Sequence, residues 1–172
     1  YQYWFILESF RAANSNSPLG RGRGGLANPS LPSPRRDLAK LKKELLKQQK
    51  LNEKSRHRII GITLETRPDS ISEKTLWLMR EQGCTRLELG VQHTDEKILQ
   101  LVKRGHTVEQ VKTAMQLAKN FGFKVDFHLM PQLPGATSEM DLKMLLEIFE
   151  NPDFRPDMIK IYPCSVVKGS EL

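Results

Sequence analysis

Short β-forming runs and helical runs alternate along residues 59–162, and this alternation constrains the fold more than any other feature of the chain. Strands are expected at 59–65, 86–92, 124–130 and 158–162. Between them, a Ser70-Ile-Ser-Glu73 capping box opens a helix that runs to Gln82 and ends at Gly83. A short helix is expected at 95–103, and Thr107-Val-Glu-Gln110 opens another that reaches Phe121 and stops at Gly122. Ser138 is the expected cap of a last helix through Phe149. Strand–helix–strand units of this length wind into parallel sheets. Four strands fall short of a closed barrel, so the expectation is an α/β fold, a partial parallel (β/α) barrel with strands missing at both ends.

Parallel strands covered on both faces read as continuous apolar runs; these strands alternate instead. Successive side chains point to opposite faces. Ile60, Ile62 and Leu64 oppose Gly61, Thr63 and Glu65, and Leu87, Leu89 and Val91 oppose Arg86, Glu88, Gly90 and Gln92. Val125, Phe127 and Leu129 oppose Asp126, His128 and Met130, and Ile159 and Ile161 oppose Lys160 and Tyr162. A half-exposed antiparallel sheet shows the same alternation, but the intervening helices cover the apolar face and leave the polar face to line an enclosed space. Charges there are costly unless paired or bound to ligand. Glu65, Arg86, Glu88, Asp126, His128 and Lys160 therefore read as the wall of a polar ligand cavity.

Barrel enzymes keep their sites at the C-terminal strand ends, here Glu65-Thr66-Arg67, Gln92-His93, 128–131 and 160–164. Gly90 leaves room for a ligand or a neighbouring backbone. The pieces form no hydrolytic triad, and no His or Cys pair has zinc spacing, so no metal ligands are expected. The two cysteines, Cys84 and Cys164, make no disulfide framework, and a reducing intracellular setting is expected. Cys84 reads as a small buried hydrophobe and Cys164 as a loop cysteine that can face the site.

The N-terminal third differs in charge. Residues 1–58 hold 13 Lys and Arg against 4 Asp and Glu, while the rest holds 14 against 16. Residues 1–14 read as an amphipathic helix on Trp4, Phe5, Leu7 and Phe10. Residues 15–36 are Gly- and Pro-rich, without periodicity, and are expected to be a disordered basic insertion whose RGRGG stretch can touch an RNA backbone. Residues 37–57 read as a surface helix capped by Asp37, with an apolar stripe of Leu38, Leu41, Leu45 and Leu46 and a basic outer face. A basic arm beside a near-neutral domain suits an RNA partner, and equally a solvated linker. No apolar run is long enough to span a membrane.

Five stretches carry a family resemblance: IGITLETRPD (60–69), GCTRLELGVQ (83–92), RGHTV (104–108), GFKVDFHLMPQLPG (122–135) and FENPDFRPDMIKIY (149–162). They resemble the family of Elongator catalytic subunits, radical S-adenosylmethionine enzymes fused to an acetyltransferase domain. The resemblance covers about residues 56–172, and 1–14 is similar to the helix after that family's glycine-rich strand, whereas 15–36 has no counterpart. It implies a barrel of the radical S-adenosylmethionine type, with 1–14 as its helix, 15–36 as an insertion, 37–57 as a surface helix and 58–172 as an incomplete barrel. It also implies a tRNA-modifying enzyme that starts the carboxymethyl-type side chain at C5 of the wobble uridine. The cofactors implied are S-adenosylmethionine, a four-iron four-sulfur cluster whose cysteines lie upstream, and acetyl-CoA held downstream, so this chain alone is expected to be inactive. Implied partners are tRNA and, in a eukaryote, other Elongator subunits, and the implied place is the cytoplasm, with the nucleus added in a eukaryote. By similarity, Glu65 and Gln92 approach S-adenosylmethionine. Arg67, His128, Lys160 and Tyr162 join them from their facing and strand-end position, with Lys160 suited to a carboxylate or phosphate and Tyr162 to a flipped base. Another radical S-adenosylmethionine enzyme, or a non-catalytic RNA-binding relic, are the competing readings.

Overall fold

The computed structural model describes residues 2–15, 38–165 and 169. The expected insertion, apart from Ser15, and the Asp37 cap lie outside the described residues. The chain forms two compact units, Tyr1–Ile60 and Gly61–Leu172.

The first unit pairs helix α1 (Gln2–Asn14) with α2 (Leu38–Asn52). On α1 the buried residues are Tyr3, Ile6, Leu7 and Phe10, one face of a 3.6-residue period, whereas Phe5 falls off that arc and is 58% exposed. On α2 only part of the expected leucine stripe is buried. Leu38 and Leu46 are exposed, and the buried positions are Leu45 and Asn52. Polar bonds add to the packing of Leu45. The Asn52 amide donates to Asn14 Oδ1 (2.7 Å) and to the His57 carbonyl (3.0 Å), and its own oxygen accepts from Ile59 N–H (2.8 Å). Asn14 Nδ2 donates in turn to the Gln48 carbonyl at 2.9 Å.

The second unit is a parallel sheet of β1 (Thr63–Thr66), β2 (Arg86–Gln92), β3 (Lys124–Leu129) and β4 (Met158–Ile161), hydrogen-bonded in that order. Its crossovers carry α3 (Glu73–Glu81), α4 (Glu96–Leu101) and α5 (Val108–Asn120), and α6 (Ser138–Glu150). β1 starts at Thr63 and not at 59, because its partner β2 begins only at Arg86, opposite Thr63; Ile60 has no strand beside it and is 96% exposed. The α3 cap is Ser72 and not Ser70, since a 3-10 turn, Pro68–Ser70, occupies the earlier residues. Ser72 Oγ accepts from Thr75 N–H and Thr75 Oγ1 accepts from Ser72 N–H, the reciprocal bonds of a capping box. Thr137, one residue before the expected Ser138, caps α6 by accepting from Met140 N–H. The Thr107–Gln110 box of α5 is present as expected, and Gly122 ends that helix at φ +74°, a conformation suited to glycine.

Leu87, Leu89, Val125, Phe127 and Leu129 point under the helices and pack with Leu76, Val111, Met115, Met144, Ile148 and Phe154 in one buried cluster. The opposite face carries the charges. None of the helices is long and apolar enough to cross a membrane among the described residues.

Asp157 fixes the entry to β4. Its carboxylate accepts from Val125 N–H (2.8 Å) and Lys124 Nζ (3.0 Å) and binds Lys119 Nζ. Burial alone would raise its pKa, but the Lys119 ammonium, the Val125 amide and Lys124 outweigh burial and hold it well below the usual carboxylate range. A carboxyl depressed in the fold contributes stability above the ordinary Asp pKa of about 3.9, and that contribution is lost as pH falls further. Asp157→Asn is expected to cost about 2 kcal/mol in urea unfolding at pH 7, and the difference from the parent should shrink below about pH 4. Equal midpoints at pH 7 would contradict this role.

Candidate functional site

The charged face of the sheet organises around Glu88. Register places Glu65, Glu88 and Asp126 side by side across β1, β2 and β3, and His128 beside Lys160 across β3 and β4. Glu88 Oε1 accepts from Lys160 Nζ at 2.6 Å, and Glu88 Oε2 lies 3.0 Å from His128 Nε2. The other ring nitrogen, Nδ1, faces Glu65 Oε1 at 3.4 Å. The Tyr162 ring meets the His128 ring edge-on, centroids 5.4 Å apart. The hydrogen bond from Lys160 holds the Glu88 carboxyl below its usual range, and the same bond raises the Lys160 ammonium. The pair therefore stays ionised from mildly acidic to strongly basic pH.

Of the six residues singled out from sequence, Glu65, His128, Lys160 and Tyr162 gather in this cluster. Tyr162 does so from just beyond β4, which ends at Ile161 rather than 162. Gln92 ends β2 at φ +71°, and Val91 carbonyl accepts from His93 N–H across it at 2.9 Å. This is a γ-turn with a positive central φ, a strained arrangement that persists where surrounding structure enforces it. A bulge there pairs Gln92 with Leu129, and the Gln92 Oε1 is buried with no hydrogen-bond partner. Arg67 is not in the cluster. Its guanidinium grips Asp69 (2.9 and 2.8 Å) and reaches the Gly105 carbonyl at 3.3 Å.

The sequence reading under-weighted Glu88 and missed Arg104 as a site residue. Glu88 counted as a wall residue, but its role as the hub shows only in its bonds. Arg104 lies in the RGHTV stretch, and its Nη2 donates to the Gly90 carbonyl at 3.2 Å. A Cβ on Gly90 would lie 2.6 Å from that nitrogen and 3.3 Å from Gln92 Nε2. The space left by Gly90 is thus taken by a side chain, not by backbone. His106 braces the same edge with Nε2 3.2 Å from the Val91 carbonyl, and burial lowers its pKa.

Deeper in the face, Asp126 is wholly buried, with Arg86 Nη1 at 3.6 Å and no hydrogen bond to either oxygen. Behind the strand end, buried His93 accepts at Nδ1 from Asp95 N–H (2.9 Å), leaving its proton on Nε2 toward Asp141 Oδ1 at 3.5 Å. Burial keeps His93 easier to deprotonate than usual.

Ligand-type atoms of Glu65, Glu88 and His128 lie within 4.8 Å of one another. The Lys160 ammonium on Glu88 opposes a second cation there, so the arrangement is an ion-pair network. Cys84 precedes β2 and donates its thiol to the Arg86 carbonyl (3.1 Å), and Cys164 follows β4. They stand at opposite strand ends, and Cys84 is buried, which raises its pKa. These two residues cannot share one iron–sulfur cluster. The face as a whole offers the cations Lys160 and Arg86, the carboxylates Glu65, Glu88 and Asp126, and an unfilled neutral acceptor, which suits a zwitterionic ligand bearing hydroxyl or amino donors.

Residues 29–148 match the radical SAM superfamily. The chain is 55% identical over 130 residues to a protein named tRNA uridine(34) acetyltransferase from Methanocaldococcus infernus, covering 76% of this chain and 24% of that protein. It is 48% identical to Elongator complex protein 3 of Homo sapiens over 72% of this chain and 22% of that one. Among solved structures, the archaeal Methanocaldococcus infernus Elp3 with an N-terminal deletion superposes with a TM-score of 0.79 at 44% identity, over 97% of this chain and 34% of that one. The chain thus spans about a quarter of the length of the curated relatives it matches.

Glu88→Gln removes the anion that anchors Lys160. By NMR of the 13C-methylated amine, the Lys160 pKa is expected to fall toward the ordinary lysine value. An unchanged titration would show that Glu88 does not hold it.

Proposed function

The chain belongs to the radical SAM superfamily, and we propose that it forms the S-adenosylmethionine-facing wall of an enzyme that modifies uridine 34 of tRNA. The observation that carries this is the buried, unfilled Gln92 Oε1 at the C-terminal edge of the sheet, in a chain 55% identical to a tRNA uridine(34) acetyltransferase. Barrel sites lie at that edge.

The residues present fit S-adenosylmethionine. Gln92 Oε1 accepts from a donor of the cofactor, and Glu65 faces its ammonium or ribose. Lys160, with donors to spare beyond the one on Glu88, meets its carboxylate. Arg104 closes the floor over Gly90 by donating to its carbonyl. Tyr162, 47% exposed and edge-on to His128, is placed to stack on an extruded base. Arg67 lies on the rim, its charge shared with Asp69, where a phosphate can approach.

The residues present do not fit a four-iron four-sulfur cluster, and no step is derived through one. In the full-length enzyme, bound S-adenosylmethionine would supply radical chemistry at the substrate once given one electron by an iron–sulfur cluster held by residues outside this chain, and the proposed product is the first stage of a carboxymethyl-type side chain at C5 of the wobble uridine, with acetyl-CoA as the two-carbon source. What this chain's residues contribute is binding, orientation and exclusion of water around the reacting groups. The protein is proposed to act on tRNA in the cytoplasm.

In the full-length protein, Gln92→Ala and Glu65→Ala are each expected to lower S-adenosylmethionine cleavage by about tenfold or more, the effect of ~1.4 kcal/mol. Cleavage at the parent rate in both variants would contradict the placement of the cofactor on this face.

A further inference from the structure

Five lysines of the first unit stand in one helical register: Lys40, Lys43, Lys47 and Lys50 on α2, and Lys54 in the turn that follows it. Their spacing of three and four residues confines them to about 80° of the helix circumference. The buried residues of α2, Leu45 and Asn52, lie on the opposite side. All five lysines are exposed, and none has a carboxylate within 4 Å among the described residues. Glu44 sits in the same stretch, where its carboxylate is hydrogen-bonded by Gln48, lies 3.6 Å from Arg11 and attracts Lys47 alone of the five lysines. The lysine face is therefore a cationic row about 15 Å long on α2, continued by Lys54 in the turn, and mounted on a helix whose other side is packed and fixed by the Asn52 network.

A row of like charges along one face repels itself and costs stability unless something neutralises it. The stripe of the helix that is buried needs none of these lysines, so packing does not explain their register. We infer that this face of α2 is a contact surface for the phosphate backbone of RNA. Lysines recur every 4.5–6 Å of rise, about as closely as phosphates follow one another along a nucleic-acid strand, and their long flexible stems absorb the mismatch. Nothing in the row is suited to reading bases: it carries no aromatic residue, arginine fork or amide, so the contact positions RNA without selecting sequence. The proposed tRNA substrate enters only in the choice of RNA over another polyanion.

The test compares the salt dependence of binding for a tRNA transcript and for anionic vesicles of phosphatidylserine and phosphatidylcholine, using the whole chain. Variants are Lys43→Gln/Lys47→Gln/Lys50→Gln on the stripe and, with the same loss of charge, Lys74→Gln/Lys97→Gln/Lys143→Gln on the second unit, all exposed positions. Circular dichroism confirms that α2 is retained, and Lys43→Arg/Lys47→Arg/Lys50→Arg keeps the charge. The stripe variant is expected to flatten the slope of log K against log salt by about 2, the loss of three phosphate contacts. The control variant should flatten it by less than half as much, and the Arg variant should match the parent. Equal slopes for stripe and control variants, or tighter binding to vesicles than to RNA, would overturn the inference. A chain that binds tRNA with an unaltered slope in the stripe variant sinks this inference alone, whereas the uridine reading fails separately if the full-length protein leaves uridine 34 unmodified.

Discussion

A carboxylate on the inner face of a parallel sheet has to be matched there, and the pairing of Glu88 with Lys160 meets that demand. Glu88 sits centrally, with Glu65 and Asp126 beside it on neighbouring strands, so three carboxylates would repel one another on one face. Lys160 from β4 neutralises the middle one, and His128 bridges from it to Glu65. The bonds link residues of all four strands across the polar face, while the helices hold the strands together from the apolar side. Without the cation on β4, the register that serves the core would stack unpaired anions on the opposite face.

The rest of the site follows from how β2 ends. Strict alternation would carry Gln92 on along the strand, but the bulge and the positive φ at Gln92 turn its backbone and seat its amide beside Gly90 and Arg104. A Cβ at 90 would displace the Arg104 guanidinium, which comes from the turn after α4, from its present place. A cluster of charges thus sits next to an unfilled neutral acceptor. That juxtaposition distinguishes the face from an ion-pair network that serves stability alone, because a buried amide oxygen without a donor is a cost until a ligand supplies one.

The alternation of Leu87, Leu89, Val125 and Phe127 with Glu88, Asp126 and His128 was readable because a strand has a period of two; burial follows it from Arg86 to Leu89, whereas on β3 Asp126 and His128 are buried like the apolar residues between them. The helix caps were readable to within one or two residues, since Ser, Thr and Gln at the right offsets describe the box but not which of two serines starts it. The partners of those residues were not readable. Nothing local ties Arg104 to Gly90 or Lys160 to Glu88, because both contacts cross turns or strands far apart in sequence. Phe5, Leu38 and Leu46 misled for a different reason: apolar residues are abundant on a helix, and on α2 the buried positions are Leu45 and Asn52, the latter bonded to Asn14. The positive φ at Gln92 was likewise invisible, being imposed by the bulge and not by residue type.

The account stands or falls on whether S-adenosylmethionine occupies the polar edge of this sheet. Chemical-shift perturbation of the 15N-labelled chain on titration with S-adenosylhomocysteine tests that most directly. The account predicts saturable shifts at the Gln92 side-chain amide and at the backbone amides of Glu65, His128 and Tyr162, with the outer face of α5 unaffected. Shifts confined to that outer face, or none at millimolar ligand, would contradict it.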